Sequence, residues 1–284
     1  MDLVVRLFVL MLALPASTLA ATNRLDPATA RFAVYYGAAD VAGLFDRELV
    51  VLDAAAHPQL PPKRSTHRVL GYLSLGEIDK SRPYFQAMNK AGALRGKVPA
   101  WPDARYVDIR APQWQARVLD ELAPAILAQG FDGFFLDTLD DPPFLEARAP
   151  KAKPNANRGM SDAAVALVAQ LRARFPDAVI MVNRGYEILP RLAPSIDFVL
   201  AESLHADWDA KTKAYRRVPP AEIDVQRTAL AAARAANKDL QIASLDYWDP
   251  SDVAGVSALY REARSEGLIP YVATLALDRV VPEP

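Results

Sequence analysis

Two carboxylates stand where this chain can most readily do chemistry. Asp137 ends the run Gly133-Phe-Phe-Leu, and Glu202 ends Phe198-Val-Leu-Ala. Neither has a turn-forming residue beside it that would explain the acid away. Apolar runs this short read as strands buried on both faces. The C-terminal ends of such strands are where α/β folds gather reacting groups. Other polar or aromatic residues take the same position: Tyr35 and Tyr36 after Phe32-Ala-Val, Asp53 after Val50-Val-Leu, Glu77 and Asp79 after Arg68 to Ser74, Asn183 after Ala178 to Val182, and Asp246, Tyr247 and Trp248 at the end of the run from Leu240. Position alone leaves Asp137 and Glu202 equally open to catalysis and to structural ion pairing.

The residue types narrow the chemistry. No lysine stands at a strand end, which disfavours a Schiff base. The strand-end serines Ser74, Ser203 and Ser244 lack the Gly-x-Ser-x-Gly setting of a nucleophile elbow. The three histidines (His57, His67, His205) show no ligand spacing and there is no cysteine, so no metal site is expected. Gly37-Ala-Ala-Asp40 is not a phosphate loop, and no cofactor is expected. Carboxylates with aromatics suit cleavage of a glycosidic bond, in which one acid protonates the leaving oxygen, another attacks or activates water, and aromatic faces receive sugar rings. Asp132, at the opposite strand end, reads as a turn residue. Asp140, Asp141 and Asp249 read as turn or cap acids. Asp53 could equally cap a helix, and adjacent Tyr35 and Tyr36 point to opposite faces, so at most one meets substrate.

Eight such strands alternate with helical segments. Pro112 to Gln129 repeats apolar residues at three-to-four spacing, with Pro112 suited to the first turn and Gly130 ending it. Ser161 is expected to cap a helix reaching Phe175, and further helices follow over Ala221 to Asn237 and Ser251 to Gly267. Ser81 to Ala93 holds a short helix, Gly96 to Tyr106 reads as a loop carrying Trp101, and Asp140 to Met160 reads as a long basic loop. Strands that are apolar throughout, alternating with helices, mark parallel βα units. Eight units in this length favour a single-domain α/β (β/α)8 TIM barrel.

Residues 1–20, with Arg6, an apolar stretch from Leu7 to Leu14 and small residues up to Ala20, read as a signal peptide cut before Ala21. Residues 21–284 then form the barrel, exported to the periplasm or medium with no membrane anchor. Without cysteine, a large core and not disulfides must supply stability. A net charge of −1 over 284 residues argues against nucleic acid as a partner, and a monomer is expected.

The motifs Tyr35-Tyr-Gly37, Gly71-Tyr-Leu-Ser-Leu-Gly-Glu77, Tyr106-Val-Asp-Ile-Arg-x-Pro-x-Trp114, Gly130-Phe-Asp-Gly-Phe-Phe-Leu-Asp137, Asn183-Arg-Gly185, Ala201-Glu-Ser-Leu204, Asp246-Tyr247 and Ile269-Pro-Tyr271 occur in that order. As an ordered set spanning nearly the whole mature chain, they resemble glycoside hydrolase family 114, the endo-α-1,4-polygalactosaminidases, and the related hydrolase domain of the Pel-polysaccharide system. The resemblance implies a (β/α)8 barrel that cleaves α-1,4-linked galactosamine or N-acetylgalactosamine polymers. It makes Asp137 and Glu202 the catalytic pair, with Asp137 as nucleophile and Glu202 as acid/base by analogy with other α-retaining barrels. It sets Glu77, Asn183, Asp246 and Tyr247 in the cleft; Tyr36 and Trp248 join them as strand-end aromatics. The basic loop from Asp140 to Met160 departs from the family pattern. An acidic rim on a nearly neutral protein would attract a cationic polymer. The rival readings are a barrel that binds polysaccharide without cleaving it and a hydrolase of a neutral α-glycan.

Overall fold

A computed structural model describes residues 24–284; the expected signal peptide lies outside them. Eight strands form one parallel sheet in sequence order: Phe32–Tyr35, Leu49–Asp53, Arg68–Ser74, Gly133–Asp137, Val179–Asn183, Phe198–Glu202, Gln241–Tyr247 and Ile269–Ala273. The sheet curls into a nearly closed barrel. Its first and last strands meet through the Phe32 ring, edge-on to Tyr271 at 6.1 Å. Just beyond them the Tyr36 N–H donates to the Leu277 carbonyl at 2.8 Å. Phe134, Phe135, Ile180, Val182, Val199 and Leu200 are all buried, because neighbouring strands occupy both edges while side chains fill the barrel on one face and meet helices on the other.

Gly133 is required where it stands. A Cβ there would lie 1.9 Å from the Val179 carbonyl oxygen, so only glycine lets the fourth and fifth strands pair in this register.

The helix from Pro112 runs to Ala128, as the periodicity predicts, but is broken into Pro112–Ala116, a wide π-type turn over Arg117–Leu122, and Ala123–Ala128. Pro124 explains the break: it has no N–H, and its ring would clash with the carbonyl four residues back in a regular helix. The next long helix, Met160–Arg174, corrects the expected cap. Gly159, at φ 82°, precedes it, and Ser161 sits inside the first turn, donating its hydroxyl to Glu146. Asp252 caps Val253–Ser265 by accepting from the Gly255 N–H.

Two antiparallel additions depart from the simple βα alternation. Glu77–Asp79, Ala104–Val107 and Leu94–Lys97 form a three-stranded sheet between the third barrel strand and the Pro112 helix. The region Gly96 to Tyr106 is therefore partly strand. Ala206–Asp209 and Ala214–Arg217 form a hairpin after the sixth barrel strand. The long loop beginning at Asp140 contains a helix, Asp141–Ala147. Among the described residues, no helix is long and apolar enough to cross a membrane.

Candidate active site

Side chains from five adjacent barrel strands converge at the C-terminal face. Tyr72 on the third strand donates its hydroxyl to Asp137 Oδ2 at 2.9 Å. The Asn183 amide nitrogen, on the fifth, donates to Asp137 Oδ1 at 3.0 Å and to Glu202 Oε2 at 2.7 Å. Tyr247, on the seventh, donates to Glu202 Oε1 at 2.5 Å. One nitrogen thus bridges the two acids, and their facing oxygens can be no farther apart than those two contacts laid end to end. Asn183 Oδ1 is buried without a partner, because the amide is turned to give both its N–H groups to carboxylates.

The environment acts on Glu202. Burial first, and the Asp137 charge second, raise the pKa of Glu202, against the donors Asn183 and Tyr247 and the nearby Arg184. Burial and the same acids hold the phenols of Tyr36, Tyr72 and Tyr247 well above their ordinary pKa. All three stay neutral and able to donate.

A second pair of acids lies beside the first. Burial and then the Asp137 charge raise Glu77 to about 7. Burial, followed by Glu77, Asp140 and Asp137, raises Asp141 to about 8. Asp141 Oδ2 is buried with no donor facing it, and these two carboxyls satisfy each other only when one carries the proton. Gly76 makes the approach possible: a Cβ there would meet the Thr138 carbonyl oxygen at 2.3 Å and Asp141 Oδ2 at 2.7 Å.

Of the non-glycine residues with positive φ, three belong together here: Thr138 at 64°, Arg184 at 50° and Ser203 at 53°. Each directly follows a residue of the central cluster, Asp137, Asn183 or Glu202. The αL conformation costs such residues roughly 1–2 kcal/mol each, and local bonds hold them there. Thr138 Oγ1 accepts from the Gly76 N–H at 2.7 Å and lies 2.8 Å from Ser74 Oγ. The Arg184 and Ser203 N–H groups donate to Leu200 and Leu245.

These groups open into a cleft of about 1080 Å³ whose walls include Tyr36, Glu77, Asn183, Tyr247 and both central carboxylates. Of the tyrosine pair, Tyr36 faces the cleft, its ring edge-on to Tyr72 at 5.6 Å. Tyr35 is buried with its hydroxyl on the Ala39 carbonyl. Asp246 and Trp248, expected in the cleft, are not among its walls. Asp246 alternates with inward Tyr247 along the strand and so points to the other side, and Trp248 follows the strand's end. Asp246 is 1% exposed; its Oδ1 accepts from the backbone N–H groups of His205 and Ala206, and its Oδ2 faces His205 Nδ1 at 3.2 Å. Trp248 donates to Asp252 and packs on Ala206, Val256, Leu259 and Tyr260. Asp132 is a basal residue as expected, accepting from the Val69 N–H and pairing with Lys63. Asp53 holds a turn through the Ala55 N–H and also faces Arg82.

Tyr72 is a site residue that no strand-end position marks; its alternation with Ser74 along Arg68–Ser74 is the signal the sequence holds for it. Asp141 has the local sequence of a turn acid, since nothing near it in the chain shows that a residue four positions past Asp137 folds back onto Glu77. Among the described residues, the one His and carboxylate cluster with metal-ligand spacing lies away from this centre. His205, Glu262 and Glu266 come within 4.8 Å of one another, but Arg217 pairs with Glu262, and Arg227 and His205 with Glu266.

Proteins of known structure share this fold. The glycoside hydrolase domain of PelA from Pseudomonas aeruginosa is 32% identical, with a TM-score of 0.72 over 87% of this chain and 96% of that one. Ega3 from Aspergillus fumigatus, solved with galactosamine, shares the fold at 16% identity and a TM-score of 0.64, covering 94% and 99% of the two chains. A protein of Deinococcus radiodurans is 30% identical over 222 residues, 75% of this chain, and one of Thermotoga maritima is 25% identical over 218 residues; the alignment spans 66% of the length of each. The model of glycoside hydrolase family GH114 matches residues 14–284, and this chain belongs to that family: it is a glycoside hydrolase built on a (β/α)8 barrel.

Proposed function

We propose that the chain is an exported, endo-acting hydrolase of α-1,4-linked galactosamine or N-acetylgalactosamine polysaccharide, working as a monomer with retention of configuration. The observation that carries the mechanism is the shared Asn183 amide. Its two contacts keep the facing carboxylate oxygens short of the roughly 6.5 Å at which inverting pairs begin and allow the roughly 5–5.5 Å of retaining ones. Asp137 attacks the anomeric carbon while Glu202 gives its proton to the departing glycosidic oxygen. Glu202, now ionised, takes a proton from water, and that water's oxygen displaces Asp137 from the sugar. The raised pKa of Glu202 suits the first half of this cycle.

Substrate class rests on family membership, on the likeness to PelA and on the cleft's charge. Asp53, Asp79, Asp140 and the proton-sharing pair Glu77 and Asp141 line the cleft with the central pair and outnumber its cations Arg82 and Arg184, and a cationic amino sugar fits such a site electrostatically. The open cleft is larger than one sugar ring needs, consistent with internal cleavage. Export rests on the leader-like residues 1–20.

The test is release of reducing ends from a panel of amino-sugar polymers, with the anomer of the first product read by NMR. Asp137→Asn and Glu202→Gln are expected to abolish turnover while leaving the circular dichroism spectrum unchanged. An inverted first product would overturn retention. Wild-type protein that cleaves no polymer of the panel would overturn the substrate assignment.

A further inference from the structure

The cleft does not stop at the carboxylates. Its walls continue over Asp53, Arg82 and Tyr84 to Trp101, in the turn between the added strands Leu94–Lys97 and Ala104–Val107. Trp101 is 66% exposed, whereas Trp114 is fully buried. Its backbone is nevertheless fixed: its N–H donates to the Val98 carbonyl at 3.3 Å, and its carbonyl accepts from the Ala104 N–H at 2.8 Å. Pro99 and Pro102 stiffen the turn on either side. The backbone that presents this solvated indole at the cleft wall is therefore fixed, and the ring does not contribute its face to the core.

One exposed apolar side chain needs no special reason by itself. Trp101 differs because of what its sheet also does. The first strand of that sheet, Glu77–Asp79, carries Glu77 into the cleft, so one insertion delivers a carboxylate and an aromatic face to the wall that holds Asp137 and Glu202. A hexosamine ring matches such a surface, with a C–H face for the indole and hydroxyl and ammonium groups at its edge for Glu77 and Asp79.

We propose that Trp101 is a stacking platform for a sugar ring of the bound polymer beyond those flanking the scissile bond, and that it sets the enzyme's preference for long chains. The proposal rests on the polysaccharide hydrolase reading above. A contact remote from the reacting centre stabilises ground and transition states alike, so its loss raises KM and leaves kcat nearly as it was.

The experiment is steady-state kinetics of the full chain on partially deacetylated galactosamine polymer. Trp101→Ala is expected to raise KM about tenfold, or about 1.4 kcal/mol of binding, with kcat within about twofold of wild type and Tm unchanged. Trp101→Phe, which keeps an aromatic face, is expected to bring KM back to within about threefold of wild type. The alanine effect should persist in about 0.5 M salt, which screens the acidic rim but not stacking. An unchanged KM, a loss confined to kcat, or an alanine effect abolished by salt would overturn the proposal. If wild type cleaves no polymer, the hydrolase reading fails separately. Polymer affinity of wild type and Trp101→Ala, measured by calorimetry, then decides the role of Trp101, with equal affinities overturning it.

Discussion

Glu202 must hold a proton in one half of the proposed cycle and release it in the other, and its neighbours pull in both directions. Burial and Asp137 favour the neutral acid, while Tyr247 and Asn183 donate to its oxygens and favour the anion. Removing one donor shifts this balance in a calculable direction. Tyr247→Phe deletes a hydrogen bond to the ionised form, so the Glu202 pKa should rise. The alkaline limb of the kcat/KM profile, where the acid is lost, is expected to move to higher pH, with kcat falling about 10- to 100-fold as the donor's transition-state role disappears. A limb that moves to lower pH would show that Tyr247 does not act through Glu202. Asn183 should be less replaceable: Asn183→Ala leaves two carboxylates facing each other with no donor between them, and a loss of about 10²–10³ in kcat is expected, read from the same kinetics. Tyr247 was legible from its position at a strand end, and Asp246 equally so. Which of two adjacent residues faces inward depends on register in the closed barrel, and that is not a local property.

The three positive-φ residues that follow Asp137, Asn183 and Glu202 show how the strands aim these groups. Each strand ends by turning sharply instead of continuing, so its last side chain stays at the barrel mouth. At the fourth strand the turn is held by Thr138, whose hydroxyl satisfies the Gly76 N–H and meets Ser74. Thr138→Val keeps the shape and the strained backbone but leaves that N–H without a partner, which costs about 1–3 kcal/mol. Thr138→Ser keeps the oxygen and removes the β-branch, so it should stay within about 0.5 kcal/mol of wild type. Urea unfolding of both variants is the check, and equal destabilisation would show that the hydroxyl does not hold the turn. The eight barrel strands themselves were plain in the sequence, because apolar runs between helical repeats admit few other readings. The added sheet was not. Leu94–Lys97 reads Leu-Arg-Gly-Lys and is largely exposed, with neither alternation nor an apolar run to mark it as strand. The hairpin strand Ala214–Arg217, Ala-Tyr-Arg-Arg, is equally unmarked. Both are stabilised by pairing with a neighbour, information that lies outside either segment. Glu77 and Trp101 were thus visible as residues before anything showed that one sheet carries both.

Across the whole molecule, titrating groups oppose one another at the two ends of the pH scale. Asp108, buried between Arg95 and Arg110, is held below the usual carboxylate range by Arg110's hydrogen bonds and both guanidinium charges, despite its desolvation. Its contribution is present above the unfolded pKa and is lost as pH falls through the lower folded value. Three other groups act in the opposite sense. His205 faces Asp246 and Glu266 through its two ring nitrogens, and hydrogen bonds to these acids raise its pKa against the penalty of burial. Its contribution is complete below its unfolded pKa of about 6.5 and is lost as pH rises through the higher folded value. Glu77 and Asp141, raised to about 7 and about 8, keep protons that the unfolded chain has released above about pH 4. Folding therefore becomes less favourable as pH climbs from there toward 8. The acidic cleft weakens the fold on the alkaline side, and Asp141→Asn isolates that effect. The variant cannot ionise, and its amide can donate to Glu77 where the shared proton stood. Its Tm should exceed that of wild type by a margin that widens from pH 5 to pH 9, reaching about 2–4 °C for each kcal/mol recovered. His205→Gln provides the contrast, lowering Tm most at pH 6 and progressively less as pH rises through the higher folded pKa of the wild-type imidazolium. Thermal melts of the three proteins across that range decide the matter. A margin for Asp141→Asn that stays constant or shrinks as pH rises would mean that Glu77 and Asp141 do not hold a shared proton in the folded state.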